Sequence, residues 1–163
     1  MSDLLVPLLK LPDLAPHLER AAAQGTVIRR ARSYEKSEVR RFVLRHFSEG
    51  WADESDVSFS RVPSSCYVAT RDKRIVGFSV IESTAPAFFG PTGVDPACRR
   101  KGLGTALLLA ALHGLRERGY VYGVIGWAGP VSFYVKTVNA IPIPDSEPGI
   151  YSDLLTPDGS RPR

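Results

Sequence analysis

The chain has 163 residues, 44% of them apolar and 23% charged, with a formal net charge of +4. At about 150 residues per domain this is one domain with enough apolar content for a sizeable core. The charge suits an anionic ligand but lies far below the basic density of a nucleic-acid binder, so no nucleic-acid partner is expected. Its two cysteines, Cys66 and Cys98, show no CxxC and no metal-ligand spacing. A reduced, cytoplasmic protein without a metal is the expectation.

The apolar run LLVPLLKLP at residues 4–12 has no basic leader and no small-residue cleavage site, and prolines cut it early. It does not read as a signal peptide, and no stretch approaches the length of a membrane span, so no membrane partner is expected. A short helix is predicted from Asp13, its N-cap, to Gln24, with Gly25 as the stop. Leu14, Leu18, Ala21 and Ala22 share one of its faces. Residues 1–25 are therefore set apart as an N-terminal extension, ahead of a domain spanning 26–156.

Residues 26–32 are β-rich and predict a first strand. Apolar or aromatic side chains at 39, 42, 43, 46 and 47 against charges at 35, 36, 38, 40, 41 and 45 predict an amphipathic helix over 34–47, with Ser33 available as its cap. The acidic stretch Trp51-Ala52-Asp53-Glu54-Ser55-Asp56 follows. Its carboxylates either attract a cationic amine or start a solvated helix, where acids favour the positive end of the dipole. Residues 66–70 and 74–82 form a predicted hairpin around Arg71-Asp72-Lys73, with Glu82 at its end. A fourth strand, 87–94, is interrupted by Gly90, Pro91 and Gly93, which predicts a bulge or a splayed edge.

The organising stretch is VDPACRRKGLGTALLLAALHGLRERGY, residues 94–120. A β-type run meets the basic triplet Arg99-Arg100-Lys101, then Gly102 and Gly104, then a helix predicted over 102–118 that is apolar nearly all round. Free amides at a helix start carry partial positive charge, and glycines let a phosphate oxygen approach the backbone. The P-loop and the dinucleotide fingerprint are not met, because Lys101 precedes its glycine and no third glycine follows at the right spacing. Residues 121–127 predict a fifth strand, and Gly129-Pro130 opens a helix over 131–138 that Asn139 ends in the left-handed conformation. The remainder carries prolines at 142, 144 and 148 and strand-like pairs at 150–151 and 154–155. Residues 157–163 are an expected disordered tail. The order of elements indicates an α/β domain with a mixed sheet.

Val94, Pro96, Arg99, Gly102 and Gly104 fill every defining position of V-x-P-x-x-[RQ]-x-x-G-x-[GA], so the stretch resembles the coenzyme A motif of the GNAT superfamily of N-acyltransferases. Ser132-Phe133-Tyr134-Val135-Lys136 likewise resembles the F-Y-x-K part of its late helix, while Trp127 stands where relatives often carry Asn. The resemblance implies a GNAT-type fold, a mixed, mostly antiparallel sheet of six to seven strands flanked by helices. It implies acetyl-CoA as co-substrate, held by Thr92, Gly93, Val94, Arg99, Arg100, Lys101, Gly102, Leu103, Gly104 and Thr105. It also implies a strand hairpin at the C-terminal end walling the acceptor pocket, where Glu147, Tyr151 and Asp153 meet either substrate or solvent. A homodimer is among the expectations, since dimers are common in the superfamily.

The activity so implied is transfer of an acetyl group to a primary amine of a small molecule or protein by direct attack, with Tyr134 as general acid for the departing thiolate. The alternative is a coenzyme A-binding module without catalysis. An alkylamine of pKa about 10.4 must lose a proton at pH 7, which costs about (10.4 − 7) × 1.36, or 4.6 kcal/mol. A carboxylate shares that task. Glu82, a strand-end acid near the centre of the expected cleft, is the first candidate, against its reading as a surface acid capping the hairpin.

Overall fold

The computed structural model describes residues 1–156; the expected tail at 157–163 lies outside the described residues. The strands are β1 Leu4–Pro7, β2 Val27–Arg30, β3 Cys66–Arg71, β4 Arg74–Ile81, β5 Phe88–Val94, β6 Tyr122–Ile125 and β7 Ile141–Pro142. The helices are α1 Ala15–Ala23, α2 Lys36–His46, α3 Glu49–Val57, α4 Leu103–Glu117 and α5 Val131–Val138. The strands form one seven-stranded sheet in the order β2-β3-β4-β5-β6-β1-β7. Every described pairing is antiparallel except β5 with β6, which are joined through α4 as a β-α-β unit.

Leucine and alanine spacing puts α4 against one sheet face, where Leu103, Leu107, Leu108, Leu109, Leu112 and Leu115 are all buried. Each buried leucine contributes about 2 kcal/mol of transfer free energy, so this helix anchors the larger core. The opposite face is covered by α2 and α3, whose Val39, Phe42, Val43 and Ala52 pack on Val68, Phe78 and Val80. The sheet is thus covered on both faces, and the cleft described below opens where two of its strands part.

Four local features differ from the sequence reading. The opening apolar run holds β1, which pairs with β6 from Leu4↔Ile125 to Pro7↔Tyr122 and with β7 at Leu5↔Ile141. Four residues ending in proline are too short to show a period, and the strand exists because its partners come from more than a hundred residues away. It takes the place beside β6, and in place of a C-terminal hairpin Gly149–Tyr151 forms one 3-10 turn. The helix start read at the acidic stretch is present but extends over all of residues 49–57, with Ser48 accepting from the Trp51 amide at 3.2 Å. Finally, neither expected cap is used: α1 starts after Leu14 with proline in its first turn, and Ser33 opens a 3-10 turn ahead of α2.

The expected irregularity in the fourth strand is present. Gly90 has φ +113°, and the β4–β5 register shifts between Ser79 and Ile81. On its other side β5 pairs with β6 only at Phe88↔Val124 and Phe89↔Ile125. Residues 90–94 therefore face a gap instead of a neighbouring strand. Among the described residues no helix is long and apolar enough to cross a membrane.

Candidate active site

The gap between β5 and β6 opens into a cleft of about 990 Å³. At one end Gly102 caps α4 in the left-handed conformation, φ +78°, which glycine adopts without a Cβ penalty. The first intrahelical bond is Ala106 N–H to Gly102 O at 3.1 Å, so the amides of Leu103, Gly104 and Thr105 precede the helical ladder. A Cβ built on Gly104 meets nothing within 4 Å, so this glycine leaves open space outside the helix instead of serving internal packing. Arg99 and Arg100 line the same cleft with Leu103 and Gly104. These residues fit a diphosphate: unpaired amides, space above them and two guanidinium groups alongside.

Thr92, Gly93 and Val94 line the cleft along the open edge of β5. Thr92 Oγ1 donates to Phe78 O at 3.0 Å, and Arg99 Nε donates to Val94 O at 3.3 Å. Lys101, Gly102 and Thr105 flank the loop without lining the cleft, and the Lys101 carbonyl accepts from Gln24 Nε2 at 3.3 Å. The extension thus steadies the loop through its own helix.

Tyr134 projects from α5 into the cleft wall, 7% exposed, with its ring edge-on to Phe89 at 6.5 Å and Phe133 at 5.1 Å. Burial pushes its phenol above the ordinary value, so the proton is held more firmly. Glu82 is not brought to that cleft. It lies in a separate depression with Arg61, Arg118 and Tyr120, accepting from Arg61 at 3.0 Å and from Arg118 and Tyr120 at short range. Burial opposes its charge, but the Tyr120 and Arg118 hydrogen bonds outweigh that and lower its pKa. It turned away because its left-handed backbone, φ 53°, ends β4 and aims the side chain at the α4 C-terminus.

The carboxylate that does line the cleft is Glu54 of α3. Thr84 Oγ1 and Tyr151 Oη each donate to its Oε1 at 2.8 Å. Burial first, and then the neighbouring Glu54, push the Tyr151 phenol to about 12, with Thr84 acting the other way. Asp53 and Asp56, the other acids of this stretch, instead bind Arg40 at 3.1 and 2.9 Å. Glu147 pairs with the N-terminal amine, and Asp153 is exposed.

The model of the Acetyltransferase (GNAT) family matches residues 30–130. The chain belongs to this family. A GCN5-related glucosamine N-acetyltransferase region of a fungal multi-domain GH3 β-N-acetylglucosaminidase is similar in structure, with TM-score 0.70 at 18% identity over 87% of this chain and 19% of that one. A GCN5-related N-acetyltransferase from Sphaerobacter thermophilus gives TM-score 0.63 at 17% identity over 87% of this chain and 48% of that one. A GNAT family acetyltransferase from Brucella melitensis, solved with acetyl-CoA, gives 0.53 at 22% over 68% and 80%. The chain thus spans about a fifth and about half of the first two, and at these identities the likeness carries the fold alone. No curated protein matches the chain.

In this GNAT chain the far wall of the cleft is aromatic. Trp127, at the position read as a departure from the family pattern, is 42% exposed and lies tilted against Tyr151 at 5.6 Å and 33°. Its backbone is left-handed at φ 48°, an uncommon state for a bulky residue. Asp3 secures it: the Trp127 amide donates to Asp3 Oδ1 at 2.7 Å, and the Ile143 amide donates to Asp3 O at 2.9 Å. Sequence reasoning gave no role to Asp3 or Trp127. The signal available for Trp127 was its departure from the family pattern, and the pairing that gives it meaning spans 124 positions.

Proposed function

We propose that this GNAT domain is an N-acetyltransferase that moves an acetyl group from acetyl-CoA to a primary amine by direct attack. The single observation that carries this reading is the continuity of one cleft, which joins the Arg99–Gly104 cradle, the open edge of β5, Tyr134 and the carboxylate of Glu54. Bound acetyl-CoA supplies a thioester carbonyl as the electrophile. The cradle amides with Arg99 and Arg100 hold the diphosphate, and the free backbone groups at 90–94 align the arm that carries the thioester.

Tyr134 keeps its phenolic proton at pH 7 and is almost fully buried in the cleft wall. It hands that proton to the departing sulfur, an uphill transfer because burial raises the phenol above its ordinary range and a thiol lies lower, at about 8.5, and positioning offsets the cost. A cleft carboxylate draws the proton from the incoming ammonium, against the cost of about 4.6 kcal/mol at pH 7. Glu54 lines the cleft and Glu82 does not, so Glu54 takes that part in this reading. A nitrogen–carbon bond forms, a carbon–sulfur bond breaks, and of the two protons lost by the ammonium one ends on sulfur and one in solvent.

Tyr134→Phe tests the reading. It should lower kcat about ten- to thousandfold, the range of general acid catalysis, while calorimetric affinity for acetyl-CoA stays near wild type. Unchanged kcat, or a loss confined to coenzyme binding, would reject the assignment. Tight acetyl-CoA binding with no turnover on any amine would point to an inert binding module.

A further inference from the structure

We propose that the acceptor is a primary ammonium carried on a flat aromatic body, with Glu54 holding the ammonium and the rings of Trp51, Trp127 and Tyr151 holding the body. This rests on the acetyl-transfer reading and names its second substrate.

Charge comes first. Among the described residues lining the cleft, the charged side chains are Arg99, Arg100 and one carboxylate, Glu54. The two arginines stand at the α4 cradle, so an anion is served there and a cation at Glu54. Glu54 is held but not neutralised: both hydrogen bonds come from uncharged hydroxyls and both fall on Oε1. Oε2 has no hydrogen-bond donor among the described residues and remains open to an ammonium. Asp53 and Asp56 mark the contrast, since Arg40 already satisfies them on the other side of α3.

Shape comes second. Trp51 is 37% exposed and Trp127 42% exposed, and both line the cleft, a large area of ring left uncovered beside a carboxylate. Trp51 is stacked on Phe47 at 5.2 Å and 29°, and Trp127 lies near Tyr151 at 5.6 Å and 33°. Both tryptophans are therefore fixed as platforms, and Trp127 is kept in its left-handed backbone by Asp3. Strained backbone retained against such a cost concentrates at binding sites. Aromatic bodies gain from ring stacking, and a nearby ammonium gains from ring faces.

Polar acceptors fit this wall poorly. An amino sugar brings several hydroxyls, each needing a partner when desolvated, while the Thr84 and Tyr151 hydroxyls are already committed to Glu54. A polyamine brings a second cation, for which the described cleft offers no second carboxylate.

The test measures coenzyme A release with acetyl-CoA and a panel of phenethylamine, tryptamine, spermidine, glucosamine and an α-blocked lysine, with acetyl-CoA calorimetry on every protein. The expected result is a kcat/KM for the two aryl amines at least about tenfold above each polar amine. Glu54→Gln should raise KM for phenethylamine about tenfold or more, and Trp127→Ala should narrow the aryl preference, both with acetyl-CoA heats near wild type. A polar amine used as well as the aryl amines overturns the proposal, and this arm needs no variant. So does a Glu54→Gln protein that binds acetyl-CoA and keeps the wild-type KM. Turnover of polar amines only overturns the acceptor class and leaves acetyl transfer standing; turnover of none despite a normal acetyl-CoA heat, or absence of that heat, overturns the acetyl-transfer reading beneath it.

Discussion

Gly93 stands in the open strand with the Phe47 ring directly upon it. A Cβ built there meets three ring atoms of Phe47 at 2.2, 2.6 and 2.7 Å. Ordinary carbon–carbon contact needs about 3.7 Å, so the ring in Gly93→Ala must move by about 1.5 Å. It has little room, because Phe78 lies behind it at 5.7 Å, Phe42 at 6.1 Å and Trp51 at 5.2 Å between ring centres. The backbone itself tolerates alanine, and the loss of unfolded-state freedom returns about 0.5 kcal/mol. Overpacking at about 1–3 kcal/mol outweighs that gain. The net loss of about 0.5–2.5 kcal/mol, at about 4 °C per kcal/mol for a domain of this size, should lower the midpoint by about 2–10 °C. Differential scanning calorimetry and urea unfolding read by tryptophan fluorescence measure it, since Trp51 stacks on the displaced ring. Phe47→Ala combined with Gly93→Ala should relieve the clash, giving a coupling of at least about 1 kcal/mol in a double-mutant cycle. A midpoint within about 1 °C of wild type, or simple additivity of the two changes, would refute the reasoning.

Gly114 poses the same question inside α4, where a Cβ would meet the Tyr67 hydroxyl oxygen at 2.0 Å. Glycine to alanine in a helix normally gains about 1 kcal/mol, but here Gly114→Ala should lose about 1–3 kcal/mol, and adding Tyr67→Phe should recover much of it. Urea midpoints that rise in the single variant would contradict this packing. Glu35 contributes to acid sensitivity: two Arg29 hydrogen bonds at 2.8 and 2.7 Å, opposed by burial and helped by the Arg32 amide, lower its carboxyl from 4.5 to about 2. A depressed carboxylate adds stability above pH 4.5 that is lost as pH falls towards 2. The ceiling is about (4.5 − 2) × 1.36, or 3.4 kcal/mol, cut to about 1–2 by the solvent bordering the pair. Glu35→Gln should therefore flatten the stability curve between pH 5 and 2, and an unchanged acid limb would remove the pair from that role.

The parts of the molecule legible in the sequence are those specified by local chemistry. The start of α4 at the Gly102-Leu103 junction, its run to Glu117, the hairpin of β3 and β4, and Asn139 ending α5 are each set by one residue type or one period. The gap beside residues 90–94 was likewise foreshadowed by Gly90, Pro91 and Gly93. What escaped depends on long-range partners. β1 is a strand only because residues 122–125 and 141–142 flank it, and Glu54 is set apart from Asp53 and Asp56 by the helix face it occupies relative to Arg40 and Tyr151. Glu82 illustrates the same limit. Its place at a strand end was readable, but the direction of its side chain was set by a positive φ and by Arg118 arriving from α4.

Titration calorimetry of the purified protein with acetyl-CoA, run beside Gly104→Glu, meets the central claim most directly. Gly104 faces open space in the first turn of α4, where a carboxylate favours the dipole, so the variant should fold as wild type does. Wild type should give saturable heat and Gly104→Glu none, at an unchanged melting temperature. No heat with wild type, or equal heat from both proteins, would contradict it.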